Sequence, residues 1–198
     1  AILSGYPAMP NTTIIHSPGK SAKLKVLSQG FKEKGYTTRF MYGGEPEFAN
    51  ILSYLSHGGF DPIVGKNDFS KKDMNSKWGA HDGVVMTRVV DDLNKMQQPF
   101  FATWLTLSSH EPFETPVPSI FKGNGTEEQF LNSLHYTDQV LGDFIAKCSQ
   151  QPWWKNTVVI ITGDHGHRLP ETGHSADDFR SPMLWLGGAL NQRGVVID

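Results

Sequence analysis

The sequence contains a single cysteine, Cys148, among its 198 residues. That excludes an internal disulfide and a cysteine metal cluster. No run approaches the roughly 20 apolar residues needed to cross a bilayer, so nothing in this stretch reads as a transmembrane helix. Charge of one sign is not in excess either. The 18 Lys and Arg oppose 20 Asp and Glu, for a formal net charge of −2, which removes the electrostatic basis for a nucleic-acid partner. The one basic cluster, Lys66, Lys71, Lys72 and Lys77, is interrupted by Asp68 and Asp73 and reads as a solvated loop. An initiator Met, a signal peptide, an internal repeat and a low-complexity tract are all missing, and the apolar run Val195-Val196-Ile197 stands next to the last residue. Both ends look cut, so a single partial domain over residues 1–198 is expected.

What the chain does have is a composition suited to a folded core, 38% hydrophobic and 19% charged, arranged as strands alternating with amphipathic helices. After Ser21, Leu24, Leu27 and Phe31 fall on one helical face, which closes at Gly35. TTRFMY, 37–42, is β-branched and aromatic and predicts a strand running into Gly43-Gly44-Glu45. From Asp82 to Gln97 the stripe Met86, Val89 or Val90, Leu93, Met96 predicts a helix with Asp82 as its N-cap. FFATWLTL, 100–107, predicts a strand ending in Ser108-Ser109-His110-Glu111-Pro112-Phe113. Thr126 and Gln129 form a capping-box pattern ahead of a helix whose apolar face is Phe130, Leu134, Leu141, Ile145 and Cys148, which makes Cys148 a core residue. TVVIIT, 157–162, reads as a buried strand ending in Gly163-Asp164-His165, and PMLWL, 182–186, as another ending in Gly187-Gly188. This alternation predicts an α/β fold with a largely parallel sheet and helices on both faces.

Such sheets bind ligands outside the carboxyl ends of their strands. YGGE, SSHEPF and GDHGH each follow a separate strand and are expected on one rim. A turn at Gly163 would free Asp164 and His165 from strand alternation and let both ligate one divalent ion. A carboxylate with an imidazole suits Zn or Mn better than Ca. The alternative is that Asp164 caps a turn and His165 is a surface imidazole. His174 is a candidate further ligand or lines the pocket mouth. His110, restrained by Pro112, could orient an anionic group or carry a proton, or simply bond a backbone carbonyl. Glu45 could be a ligand, a base or a turn carboxylate. His57, His81 and His135 have no comparable setting.

FFATWLTLSSHEPF, the helix containing Tyr136-Thr137-Asp138, and WWKNTVVIITGDHG resemble, in order and spacing, the extracytoplasmic domain of lipoteichoic acid synthase-like, phosphoglycerol transferase-like proteins. These belong to the alkaline phosphatase and sulfatase superfamily. AILSGYPAMP and YGGEPEFAN are similar to the same group. The resemblance implies a three-layer α/β/α sandwich and metal-centred transfer of a phosphoryl-type group from a small-molecule or lipid-linked phosphate or sulfate ester. It implies Asp164 and His165 as the metal pair, with manganese as the ion and zinc or magnesium as alternatives. His110 would contact the phosphate-bearing head group, and Tyr42 and Glu45 would lie in the substrate-binding stretch. A Thr nucleophile and a further acidic ligand are expected upstream of Ala1. The resemblance also implies a domain outside the cytoplasmic membrane, tethered by helices not in this sequence. Lipoteichoic acid synthases carry His and Asp in the stretch matching YGGE and an Arg a little later, where this chain has Tyr42, Gly44 and Ile51. Another phospholipid head group, a phosphodiester, a sulfate ester, or a non-catalytic envelope-binding role on the same fold therefore stays open.

Overall fold

The computed structural model describes residues 2–7, 13–174 and 176–196. Positions 1 and 8–10 of the AILSGYPAMP stretch lie outside the described residues. The chain forms two compact units, Ala1–Thr137 and Asp138–Asp198.

In the first unit the elements run α1 (Pro18–Ser21), α2 (Leu27–Glu33), β1 (Thr37–Tyr42), α3 (Ile51–His57), β2 (Ile63–Val64), α4 (Asp82–Lys95) and β3 (Phe100–Leu105); α5 (Thr126–Cys148) spans the division. The three strands form a parallel sheet in the order β2-β1-β3, with Phe40 opposite Ile63 and Tyr42 opposite Leu105. Alternation along β1 sends Thr38, Phe40 and Tyr42 to one face and Arg39 and Met41 to the other. On the first face Phe40 packs with Leu55 of α3 and Phe60, fringed by Tyr42, Ile51 and Phe101. Phe31 of α2 stacks on Phe101 with ring centroids 4.5 Å apart. On the second face lies α4. Its Asp92 receives Arg39 of β1 at 2.9 Å and Arg88 of its own helix at 3.0 Å, while Val85, Met86, Val89 and Leu93 are buried. Burying each such apolar side chain contributes about 1.5–3 kcal/mol. The expected parallel sheet with helices on both faces is therefore present within this unit.

Two helix expectations need correction. The pattern following Ser21 is broken: Ser21 ends α1, and a new helix starts at Leu27, whose N–H is taken by Leu3 O at 2.8 Å. The Gln29 side chain accepts the Val26 N–H and closes the start of α2. A long-range bond thus sets the helix boundary against the local periodicity, and Leu27 is left exposed. The end is as expected, with Gly35 at φ +83° and Tyr36 N–H returning to Phe31 O at 3.1 Å. In α5 the buried stripe is Phe130, Ser133, Thr137, Val140, Phe144 and Cys148, and Leu134 is exposed. The buried face takes in polar residues whose hydrogen bonds are met internally, Ser133 Oγ donating to Phe130 O at 2.7 Å and the Asn132 amide to Phe121 O and Glu128 O. Cys148 is fully buried, and burial pushes its thiol up to about 12, so it behaves as core.

In the second unit β4 (Val159–Thr162) pairs with β5 (Met183–Leu186), and the pairing is antiparallel, Val159 opposite Leu186 and Thr162 opposite Met183. The strand expected at 157–162 forms over Val159–Thr162, and it is not buried: Ile160 is exposed, as are Leu184 and Trp185 of β5. A two-stranded ribbon has a single ladder and closes neither of its faces. Among the described residues no helix is long and apolar enough to cross a membrane.

Candidate active site

In the first unit β1 and β3 lie side by side in the same direction, so the loops that follow them, 43–45 and 106–114, leave the sheet together. A third segment, 75–82, knits them. Ala80 N–H donates to Gly43 O at 3.0 Å. Gly79, at φ +154°, lies so near that an added β-carbon would fall 2.0 Å from Gly43 O. Gly79→Ala should therefore destabilise by about 2–4 kcal/mol through backbone strain and the lost Ala80 bond. An unchanged urea midpoint would contradict this packing.

The bond to the other loop is made by Asp82. Its buried carboxylate accepts Leu107 N–H at 2.9 Å and Ser108 N–H at 2.8 Å, while Ser108 Oγ accepts the Asp82 N–H at 3.0 Å. Asp82 was expected to cap its own helix, but it is the first residue inside α4 and holds the end of β3 instead. Two of the orphan donors at the α4 start go to Ser108 Oγ and to the Tyr136 hydroxyl, which accepts Gly83 N–H at 3.0 Å. Burial raises the Asp82 carboxyl above its ordinary value, outweighing the hydrogen bonds and neighbouring His81 that pull it down. Burial, with Asp82 nearby, likewise raises the Tyr136 phenol.

His110 is exposed on this loop, and its Nδ1 lies 2.9 Å from Glu111 O. His81, set aside in sequence, is buried; its Nε2–H donates to Glu114 O at 3.2 Å and its ring meets Tyr136 edge-on at 6.0 Å. The backbone N–H of Lys77 donates to the Glu114 carboxylate at 2.7 Å. Trp78, His81, Ser108, His110 and Glu114 line one small cleft. A larger hollow of about 690 Å³, lined by Leu3, Val26, Leu27 and Phe31, shares none of these residues. Tyr42 folds its ring over Gly44, where an added β-carbon would meet it, and packs on the Phe40 cluster. Glu45 is exposed, with its carbonyl accepting Phe48 N–H at 3.2 Å. The basic cluster is a set of turns closed by its own carboxylates, Asp68 on Gly65 N–H and Asp73 on Ser70 N–H.

In the second unit Asp164 and His165 follow β4 and are exposed. Asp164 Oδ2 and His165 Nε2 stand 3.8 Å apart. The His165 Nδ1 lies 2.7 Å from Gly166 O, and because a carbonyl only accepts, the neutral ring carries its hydrogen there and its lone pair on Nε2. Two donors each about 2.0–2.2 Å from one ion stand at most about 4.4 Å apart, so this pair fits a shared divalent cation. The backbone carbonyl behind the imidazole is the support that ligating histidines use. Asp164 Oδ1 also accepts the His165 N–H at 3.1 Å, which is the turn-capping role named as the alternative. His174 lies in a turn with Thr172, its N–H on Thr172 Oγ1 at 3.2 Å. Among the described residues no group of three or more His, Cys, Asp or Glu side chains is arranged to hold a metal, so His174 does not join the pair.

A sulfatase family profile matches residues 1–194. The chain belongs to the sulfatase family. Relatives include phosphoglycerol transferase I of Xanthomonas axonopodis pv. citri, 28% identical over 155 residues, covering 72% of this chain and 22% of that protein. Lipoteichoic acid synthase 1 of Bacillus subtilis is 26% identical over 140 residues, covering 68% and 22%. Among solved structures, a protein in the alkaline phosphatase superfamily from Vibrio parahaemolyticus superposes with a TM-score of 0.83 at 27% identity, covering 96% of this chain and 48% of that one. The fold of this sulfatase-family chain is thus that of the alkaline phosphatase superfamily, as the resemblance implied. The chain spans about a fifth of the length of the curated relatives it matches. The third segment of the rim, residues 75–82, follows no strand and so lacks the pattern that marks the other two loops. The one local signal was Trp78-Gly79, a bulky aromatic before a glycine in an otherwise polar loop.

Proposed function

We propose that this chain is a partial catalytic domain of a metal-dependent transferase or hydrolase acting on phosphate esters of the phospholipid head-group type in the bacterial cell envelope. The observation that carries it is the Asp164–His165 pair, with the carboxylate and the imidazole lone pair 3.8 Å apart at the end of β4. The names of the relatives, phosphoglycerol transferase and lipoteichoic acid synthase, support phosphoryl-type transfer over other ester chemistry. A single family profile over residues 1–194 supports one domain.

Asp164 and His165 would hold the ion, manganese by the resemblance, with zinc or magnesium as alternatives. When bound, a divalent cation supplies positive charge for the phosphoryl oxygens and makes a nearby hydroxyl more acidic. His110 contacts the substrate through Nε2, since its Nδ1–H is committed to Glu111 O. Tyr42 and Glu45 border the loop that meets the substrate, and His174 lines the approach to Asp164. The nucleophile is a Thr or Ser preceding Ala1, and the domain works outside the cytoplasmic membrane, anchored by segments beyond this sequence. Membership of the sulfatase family favours one second reading, hydrolysis of a sulfate ester. A polypeptide that joins this chain to the upstream nucleophile is expected to turn over a phosphoglycerol diester and to leave an aryl sulfate intact. Turnover of the sulfate alone would replace the first reading with the second.

A further inference from the structure

Glu111 O receives two donors, the Trp78 indole N–H at 2.6 Å and the His110 Nδ1–H at 2.9 Å. The two rings also touch edge to face, 6.1 Å between centroids at 87°. Trp78 is 42% exposed, an unusual place for an indole, and the Lys77 ammonium lies 4.9 Å from its ring centroid. Neither observation is explained by core packing. The exposed position follows if the indole N–H serves the neighbouring imidazole through Glu111 O.

We propose that Trp78 is a positioning residue for His110. By holding the Glu111 carbonyl in place, it keeps the hydrogen of the neutral imidazole on Nδ1 and aims the Nε2 lone pair outward, which rests on the assignment of His110 to the substrate above. A neutral imidazole in that tautomer cannot donate from Nε2; it accepts. His110 then removes the proton from a substrate hydroxyl. The hydroxyl O–H bond breaks as Nε2–H forms, the oxygen keeps the electron pair for attack, and the resulting imidazolium keeps Nδ1–H on Glu111 O. The acceptor is thus an alcohol or water.

The test is nitrogen-15 NMR of the 198-residue protein. In the unsubstituted protein both the Trp78 Nε1 and the His110 Nδ1 should show through-hydrogen-bond coupling to the Glu111 carbonyl carbon, a result that needs no variant. In Trp78→Phe, which keeps a ring against His110 and removes only the donor, the His110 signals should shift toward a mixture of Nδ1–H and Nε2–H forms. His57, whose Nδ1–H is held by Ser53 O at 2.7 Å, should stay unchanged and report an intact fold. Lys77→Ala, which leaves the indole N–H in place, should leave the tautomer unchanged. The proposal is overturned if the couplings are absent, or if Trp78→Phe leaves His110 wholly in the Nδ1–H form. Adding sn-glycerol phosphate separates the two levels. If it fails to perturb His110 in the unsubstituted protein while Trp78→Phe still shifts the tautomer, the assignment of His110 to substrate falls and the positioning by Trp78 stands.

Discussion

Asp82→Ala is expected to lower the unfolding free energy by about 2–5 kcal/mol, the cost of stranding two buried backbone donors. The carboxylate accepts Leu107 N–H and Ser108 N–H, and both residues are buried where water cannot replace it. Surface aspartates lost to alanine cost far less, within about 0.5 kcal/mol. The pH dependence has a definite sign. Because burial raises the folded carboxyl above its ordinary value of 3.8, the folded protein holds the proton more tightly than the unfolded chain. The stability contributed by this group is full below 3.8 and is lost as pH rises through the folded value. Urea unfolding over a pH series should show that decline in the unsubstituted protein and not in Asp82→Asn. A midpoint for Asp82→Ala equal to that of the unsubstituted protein would remove Asp82 from the frame of the His110 loop.

The second large effect concerns Asp164. In a polypeptide that includes the nucleophile, Asp164→Ala should reduce kcat/KM by at least about 100-fold, since even the residues behind a ligand are worth about 10–100-fold. Asp164→Asn should fall between, because it keeps an oxygen donor at the same place and loses the charge. His165→Ala should match Asp164→Ala, and the double variant should cost little more than either, because the two act as one unit. Metal-dependent turnover retained in Asp164→Ala would exclude the pair as ligands.

The elements visible in sequence were those written in a single local pattern. β1 and β3 are β-branched or aromatic runs, and Gly35 sits where a helix must turn left-handed, so both could be read from neighbours alone. Asp82 could not. An aspartate just before an apolar helical stripe looks the same whether it caps that helix or bonds a loop 25 residues away, and the structure takes the second course. The start of α2 was misplaced for the same reason, a tertiary bond from Leu27 to Leu3 outweighing a good stripe. Of the candidate site, YGGE and SSHEPF were legible as polar clusters after strands, and they are tied into one rim of the first unit by the 75–82 segment. That segment carries no strand-end signature, so nothing local pointed to Trp78 and His81 was set aside. Asp164 and His165 stand out in sequence because polar residues follow an apolar run directly, and the structure places Asp164 Oδ2 3.8 Å from His165 Nε2.

The most direct test of the account is manganese titration of the 198-residue protein followed by NMR. Paramagnetic broadening should strike His165 and Asp164 first and vanish in Asp164→Ala, with competition by zinc. Broadening that is equal in Asp164→Ala, or that centres on other residues and spares His165, would contradict a shared cation at the end of β4.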